Sequence, residues 1–358
     1  MKRIVLKGDN DNLGLQGSVP NGVMISLSGL TLVETTGTTE YTHNKVLYLG
    51  NNKIILYTST MNFIGAKPLS LSTDNGITFN KISDVKIGPT YNQQNSYRDT
   101  CVLNNGSIIA INPDNTLTGL TIRSDDDGYN WYSFGSSLYT GLTSSNANIC
   151  CITNIGGDVL LGGCTDAKII KSIDSGNTWT IIKTISNENF ISTICNMGNG
   201  VILAGSTFSG SGSYGGKIYR STDNGETWDN GTTLYVTKTN GLGNKMRYVW
   251  DICQSNGYIY VVTFIHGYPT IIGDAEVLRS NDGLTWINVS QNSQQVFKYV
   301  SSFENNVLYT FENTGLAYSD DFGYNWIETG NDNLFNQTCS IGGGKLFVVG
   351  GYQYKIIS

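Results

Sequence analysis

One eight-residue pattern recurs along this chain at the spacing of a small antiparallel sheet, and it limits the fold more than any other feature. The pattern is Ser, any residue, Asp, any residue, Gly, any residue, Thr or Asn, then an aromatic. The first clear copy is Ser72-Thr73-Asp74-Asn75-Gly76-Ile77-Thr78-Phe79, and others begin at Ser124, Ser172, Ser221 and Ser319. A copy one residue shorter runs Ser280-Asn281-Asp282-Gly283-Leu284-Thr285-Trp286, and it exposes a decayed one, Ser26-Leu27-Ser28-Gly29-Leu30-Thr31-Leu32. The chain stops at Lys355-Ile356-Ile357-Ser358, which matches the approach Lys168-Ile169-Ile170-Lys171 to Ser172. Successive serines stand 46, 52, 48, 49, 59, 39 and 39 residues apart. That is the length of one four-stranded propeller blade.

The turn has a physical reading. Asp and Ser side chains bond backbone N–H groups across a tight turn, Gly takes the positive-φ position, and the aromatic packs between sheets. Between copies the chain reads as short strands. Around Ser221 these are Phe190 to Asn196, Gly200 to Gly205, Lys217 to Ser221, and Thr227 onward. Nothing reads as a long amphipathic helix. Composition agrees: charged residues make up 14%, with 43 Gly, 21 Tyr and only 5 Pro, a mixture for strands and glycine turns.

These repeats closely resemble the Asp boxes of sialidases, of some endoglucanase propellers and of photosystem assembly-factor propellers. The resemblance runs from about Ser26 to the C-terminus. It implies an all-β propeller of four-stranded antiparallel blades, with each box at the turn between third and fourth strands. That turn lies away from the face where such proteins usually bind ligands. Six units carry a good box, and the segment from Asn336 to Ser358 supplies three more strands. Leu30 to Thr35 can supply the fourth, so seven blades closed by an N-terminal strand are expected, with six as the alternative. Residues 22–358 then form one propeller domain, and residues 1–21 an N-terminal extension.

The box aspartates Asp74, Asp126, Asp174, Asp223, Asp282 and Asp321 are expected to close turns and not to do chemistry. Arg123, Arg220 and Arg279 each precede a box serine and belong to the repeat. Sialidases of the resembling family clamp a carboxylate with three arginines and carry an early Arg-Ile-Pro motif. Only Arg3, Arg98 and Arg247 remain, Arg3 lies outside the repeats, and no Arg-Ile-Pro occurs. An intact sialidase triad is therefore not expected, and the chain reads as a non-enzyme more readily than as an enzyme.

Cys101, Cys151, Cys195, Cys253 and Cys339 fall at matching places in the first strands. A residue repeated once per blade is a packing choice, so these read as free buried thiols. No disulfide framework is expected from seven cysteines without a secretion signal. Neither metal nor cofactor is expected, since no CxxC occurs and the only histidines are His43 and His266.

What breaks the repeat points to function. Tyr97-Arg98-Asp99-Thr100 and Arg247-Tyr248-Val249-Trp250-Asp251 open two inner strands, and Asp99 and Asp251 occupy equivalent positions. Trp250 is the one tryptophan outside a box. A tryptophan that stacks on a sugar, with acids accepting hydroxyl protons, would suit a glycan. Two carboxyls would also suit a glycosidase, with loop acids Asp274 and Glu276 as other candidates. Paired arginines and aspartates lining a polar channel are the structural alternative. Long loops at Ser206 to Gly216 (with Tyr214), Ile265 to Glu276 (with His266 and Tyr268), Lys86 to Tyr97 and Gly231 to Lys245 would gather on the face opposite the boxes.

The sequence therefore suggests a recognition or structural propeller that binds a glycan or protein partner through that face, such as part of a phage tail or another surface-binding assembly. A glycoside hydrolase and an assembly factor for a larger complex are the alternatives. The formal net charge of −6 and the lack of a basic stripe argue against nucleic acid. No stretch approaches a membrane span and no signal-peptide core is evident, so a cytoplasmic or virion setting is expected. Oligomeric state is left open.

Overall fold

The structure, a computed structural model, describes residues 3–5, 7–9, 12–14, 24–26, 33–34, 45–57, 70–81, 99–111, 121–133, 149–210, 213–234, 248–264, 275–290, 297–303, 306–311, 315–319, 321–328, 337–342, 345–350 and 353–357. All its regular elements are strands. Among the described residues no helix is long and apolar enough to cross a membrane.

Each blade is an antiparallel meander whose strands follow one another in chain order across the sheet. Blade 1 spans 45–81, blade 2 spans 99–133, blade 3 spans 149–184, blade 4 spans 190–233 and blade 5 spans 248–288. The second strands are the most apolar because both of their faces are covered by neighbouring sheets. Ile108–Ile111 and the Ile54-Ile55-Leu56-Tyr57 run are buried throughout. Core clusters join successive sheets. One holds Ile55, Tyr57 and Leu71 of blade 1 against Ile108, Ala110 and Trp131 of blade 2. Another holds Leu203 and Ile218 of blade 4 against Val249, Ile252 and Val261 of blade 5. Blades approach so closely that a Cβ on Gly205 would stand 2.3 Å from Val249 Cγ1.

The blade count departs from the expected seven or six. Five blades are described in strands and core side chains together, and these constitute the propeller established here. The spacing of boxes counts turns, whereas a blade is defined by four strands and the side chains that pack them on their neighbours. Two further four-stranded sheets are described mainly by strand order. One spans 297–328, and it packs Val300, Ala317 and Trp326 on blade 5. The other joins Gln337–Gly342, Lys345–Gly350 and Gln353–Ile357 to Val33–Glu34, with Lys355 facing Glu34 and Ile356 facing Val33. Near the start, Arg3–Val5 pairs with Met24–Ser26 and Lys7–Asp9 with Asn12–Gly14.

Two finer expectations also change. The fourth strand of blade 4 is Thr232–Thr233 and does not begin at Thr227. Asp229 accounts for this: its N–H donates to Arg220 O and its Oδ1 accepts from Arg220 N and Gly231 N, so a side chain substitutes for part of the ladder. Within the glycine-rich stretch expected as a loop, Phe208–Gly210 pairs antiparallel with Ser213–Gly215.

Candidate binding face

The box turns define one face. In all six, the Ser hydroxyl donates to Asp Oδ1 at 2.7–2.9 Å and accepts the Gly N–H at 2.7–2.9 Å. The backbone N–H of the Thr or Asn donates to the same Asp Oδ1 at 2.7–2.9 Å, and its side chain donates to Oδ2. Asn75, Asp127, Ser175, Asn224 and Phe322 hold φ of 59–62°, each followed by a Gly at 83–90°. Each of these aspartates accepts bonds from within its own turn. The Asp223 carboxylate is stabilised as an anion: the Thr227 hydroxyl, then the Thr227 N–H and the Ser221 hydroxyl, hold it at about 2.

In blades 3, 4 and 5 the residue before the box serine reaches the next box. Arg279, buried, stacks between the rings of Tyr258 and Tyr324 at 4.5 Å from each and donates to Phe322 O at 2.7 Å. Lys171 of blade 3 pairs with Glu226 in the blade 4 turn, and Arg220 lies beside Gly283 in the blade 5 turn. Arg123 instead binds Asp125 in its own turn and Ser107. These cations belong to the repeat. They are committed to holding the rim.

First hairpins lie beside the boxes, as the bonds Asn75 N–H to Asn52 O, Ser175 N–H to Asp158 O and Asn224 N–H to Gly200 O show. The antiparallel order therefore places the starts of first strands on the opposite face. Register fixes equivalent positions there. Ile108, Leu160, Ile202 and Ile259 face the box serines, and three residues further along the second strand Ile111, Gly163, Gly205 and Val262 face Asp99, Cys151, Thr193 and Asp251. Asp99 and Asp251 are therefore equivalent, as read from the sequence. The cysteine alignment is corrected: Cys101, Cys195 and Cys253 share one position, opposite Ile109, Leu203 and Tyr260, but Cys151 sits two residues nearer the strand start and Thr153 takes its place.

Both aspartates link sheets. Asp99 accepts its neighbour Thr100 N–H at 3.0 Å and Ile152 N–H of blade 3 at 2.9 Å. Asp251 accepts Ile252 N–H at 3.0 Å and Val300 N–H of the following sheet at 3.1 Å. Between blades 3 and 4 the link is Cys151 Sγ to Ile191 O, and between 4 and 5 it is Ser192 Oγ to Val249 O. Thiols beside the aspartates are poor nucleophiles. Burial, then the Asp251 charge, pushes Cys195 up to about 12, and burial with Asp99 pushes Cys101 higher still. Cys101, Cys150, Cys151, Cys164, Cys195 and Cys253 form no disulfide.

Just before each of these positions the first strand skips one residue in register, at Cys150 in blade 3, Ser192 in blade 4 and Trp250 in blade 5. Such a bulge re-aims its side chain out of the ladder. Cys150 and Ser192 are half-buried, whereas Trp250 is 39% exposed. Phe190, at the start of the neighbouring first strand, is 38% exposed. Nothing in the spacing signalled Phe190. Tyr248 is buried and packs inward, so it does not join them. Glu276, read as a loop acid, is a fully buried residue of the strand Ala275–Ser280. Tyr214 lies on the strand Ser213–Gly215 of blade 4. Arg98, Arg247, His266, Tyr268 and Asp274 lie outside the described residues. Among the described residues no three His, Cys, Asp or Glu side chains gather as a metal site.

No family model and no curated protein matches the chain. Solved structures do. "YCF48 bound to D1 peptide" aligns with a TM-score of 0.59 at 12% identity over 96% of this chain and 97% of that one. The GH74 xyloglucanase from Xanthomonas campestris aligns with a TM-score of 0.62 at 13% identity over 91% of this chain and 53% of that one. The WD40 β-propeller domain of Doa1 aligns with a TM-score of 0.59 at 11% identity over 92% and 97%. Identities this low speak for the fold alone, and on that ground the chain is a β-propeller.

Proposed function

We propose that this propeller is a recognition module, not an enzyme, and that it binds a protein partner through the face opposite the boxes. Trp250 carries the reading: a large aromatic, pushed out of the ladder by a bulge and left 39% exposed, on the first strand of its blade. Aromatic side chains supply the dominant anchors of protein interfaces. The hydrolase alternative loses its motive, because the Asp99 and Asp251 carboxylates each accept two backbone N–H bonds at two separate sheet junctions. Similar propellers include one described as bound to a peptide, which supports a protein partner over a glycan. We also take residues 22–358 as the propeller domain and 1–21 as its extension.

The test is a random-peptide library selected on the full chain, with enriched peptides titrated against wild type, Trp250→Ala and Trp250→Phe. Trp250→Ala should weaken binding at least tenfold with the melting temperature unchanged, and Trp250→Phe should restore part of it. Failure to enrich any peptide, together with glycan-array hits lost in Trp250→Ala, would replace this reading with a glycan one.

A further inference from the structure

Two of the box turns are nearly one turn. Ser124-Asp125-Asp126-Asp127-Gly128-Tyr129-Asn130-Trp131 in blade 2 and Ser319-Asp320-Asp321-Phe322-Gly323-Tyr324-Asn325-Trp326 in the sheet after blade 5 differ only at Asp127 against Phe322. Their backbones agree too. φ is 59° at Asp127 and 61° at Phe322, then 88° at Gly128 and 90° at Gly323. Tyr129 N–H donates to Asp126 O at 3.3 Å, as Tyr324 N–H does to Asp321 O. What the preceding blade supplies to each turn is different. At Tyr324 it supplies Arg279, whose guanidinium stacks 4.5 Å from the ring centroid and donates to Phe322 O at 2.7 Å and the Tyr324 hydroxyl at 2.8 Å. In blade 1 that position is Leu71: both residues precede a box serine, and they pair with Ile55 and Tyr260 at matching places in second strands. Leu71 is buried and ends in the apolar core, while Tyr129 is 50% exposed.

We infer that the blade 2 turn takes an arginine side chain from a protein partner, held there as Arg279 is held within this chain. The site lies on the box face, opposite Trp250, so it goes beyond the recognition reading above. Its acceptors are fixed in advance, because the turn bonds hold Asp127 and Tyr129 where Phe322 and Tyr324 stand in the other turn. The one changed residue favours a cation: a carboxylate replaces a phenyl ring beside the carbonyl that receives the guanidinium. Lys53 pairs with Asp127 Oδ2 from the hairpin position that Tyr258 holds in blade 5. Asp125 accepts Arg123 Nε at 2.6 Å, the Ser107 hydroxyl at 2.5 Å and the Tyr132 hydroxyl. Burial raises Asp125 and Asp126, but hydrogen bonds, from Ser107, Tyr132 and Arg123 to the one and Asn130 and Ser124 to the other, outweigh it. Three carboxylates therefore meet two cations, and the turn stays negative. A planar, weakly hydrated guanidinium stacks on a ring and donates in its own plane, which a lysine ammonium cannot do. A single exposed contact of this kind changes affinity only about two- to fivefold. The arginine must therefore arrive on a chain that brings further contacts.

The experiment titrates two labelled peptides against the full chain at low salt, one of alternating arginine and glycine and one of alternating lysine and glycine. The arginine peptide should bind about two- to fivefold more tightly than the lysine peptide. Tyr129→Ala should abolish that preference, and Tyr129→Phe, which keeps the ring, should retain most of it. Trp250→Ala should leave it unchanged. Equal affinities in wild type, no binding of either peptide, or a preference that survives Tyr129→Ala each overturn the inference. A preference lost in Trp250→Ala but kept in Tyr129→Ala would move the arginine to the opposite face, overturning the rim site while the recognition reading stands.

Discussion

The two faces of this propeller solve one problem, the joining of neighbouring sheets, in opposite ways. On the box face the solution is repeated: the same four bonds close every turn, and a cation before the serine reaches into the next turn in blades 3, 4 and 5. On the other face each junction has its own device: a carboxylate at Asp99, a thiol at Cys151, a hydroxyl at Ser192, a carboxylate again at Asp251. Uniform turns make a scaffold that tolerates little variation. Varied junctions leave room for a residue such as Trp250, which stands at a bulge and is 39% exposed.

The largest effect should come from the rim. Trp179 is 1% exposed, sits in the cluster between blades 2 and 3, and donates its indole N–H to Gly176 O at 3.2 Å. Trp179→Ala should cost about 3–5 kcal/mol in urea unfolding, with peptide affinity unchanged at temperatures where the variant is folded. If stability holds and binding is lost, the division between scaffold face and recognition face is wrong.

Next come the junctions. Asp251→Ala removes the acceptor for Val300 N–H and Ile252 N–H, and Asp99→Ala does the same for Ile152 and Thr100. Each should cost about 1–3 kcal/mol, the penalty for stranding polar groups at a buried junction, and the two costs should agree because the positions are equivalent. Equal losses mark both as structural links. A loss of binding confined to Asp251→Ala, with stability intact, would instead make it a ligand contact.

Acid should act on the rim first. Asp223 lies at about 2 in the folded protein, held there by Thr227 and Ser221, against an ordinary value near 3.8. For Asp74, Asp126 and Asp174 burial raises the carboxyl, but the hydrogen bonds within each turn outweigh it and leave it lowered. A carboxyl lowered on folding adds stability above its ordinary value and loses it as pH falls toward the folded one. Chemical-denaturation midpoints should therefore drop between about pH 4 and pH 2 and level off above that window. A flat profile there would show that the turn bonds are no stronger than those the unfolded chain makes with water.

These contrasts also explain what the sequence revealed. Every bond of a box turn lies within four residues, so the motif alone states the chemistry. Asp99 and Ile152 are 53 positions apart, and nothing local announces that a carboxylate will bond a backbone N–H in the next sheet. The cysteine register was hidden for a related reason: equivalent positions are fixed by the partner across the sheet, and Cys151 faces Gly163 where Cys195 faces Leu203, a difference that spacing along one strand does not display. Glycine and serine between Phe208 and Gly215 look like a loop because their antiparallel pairing depends on the blade beneath it. Blade number is likewise a property of packed sheets, and counting turns overstated it.

The smallest predicted effect concerns the one rim turn that departs from the rest. In blade 5 the residue between Asp282 and Gly283 is missing, and with it the left-handed residue that precedes Gly in the other boxes. Asp282 still accepts Leu284 N–H and Thr285 N–H at 2.8 Å, so the turn closes. The cost falls on the tryptophan. Trp131, Trp179 and Trp228 donate to the carbonyl of their own box glycine, whereas the buried Trp286 N–H has no acceptor among the described residues. Inserting Asn between Asp282 and Gly283 should restore that bond and raise stability by about 0.5–1.5 kcal/mol, the net worth of one hydrogen bond, read as a shift in urea midpoint with unchanged slope. A drop instead would mean that Leu203 and Arg220, which pack beside Gly283, have shaped the rim around the shorter turn. In that case even the repeated face carries blade-specific fitting, and its contrast with the opposite face becomes one of degree.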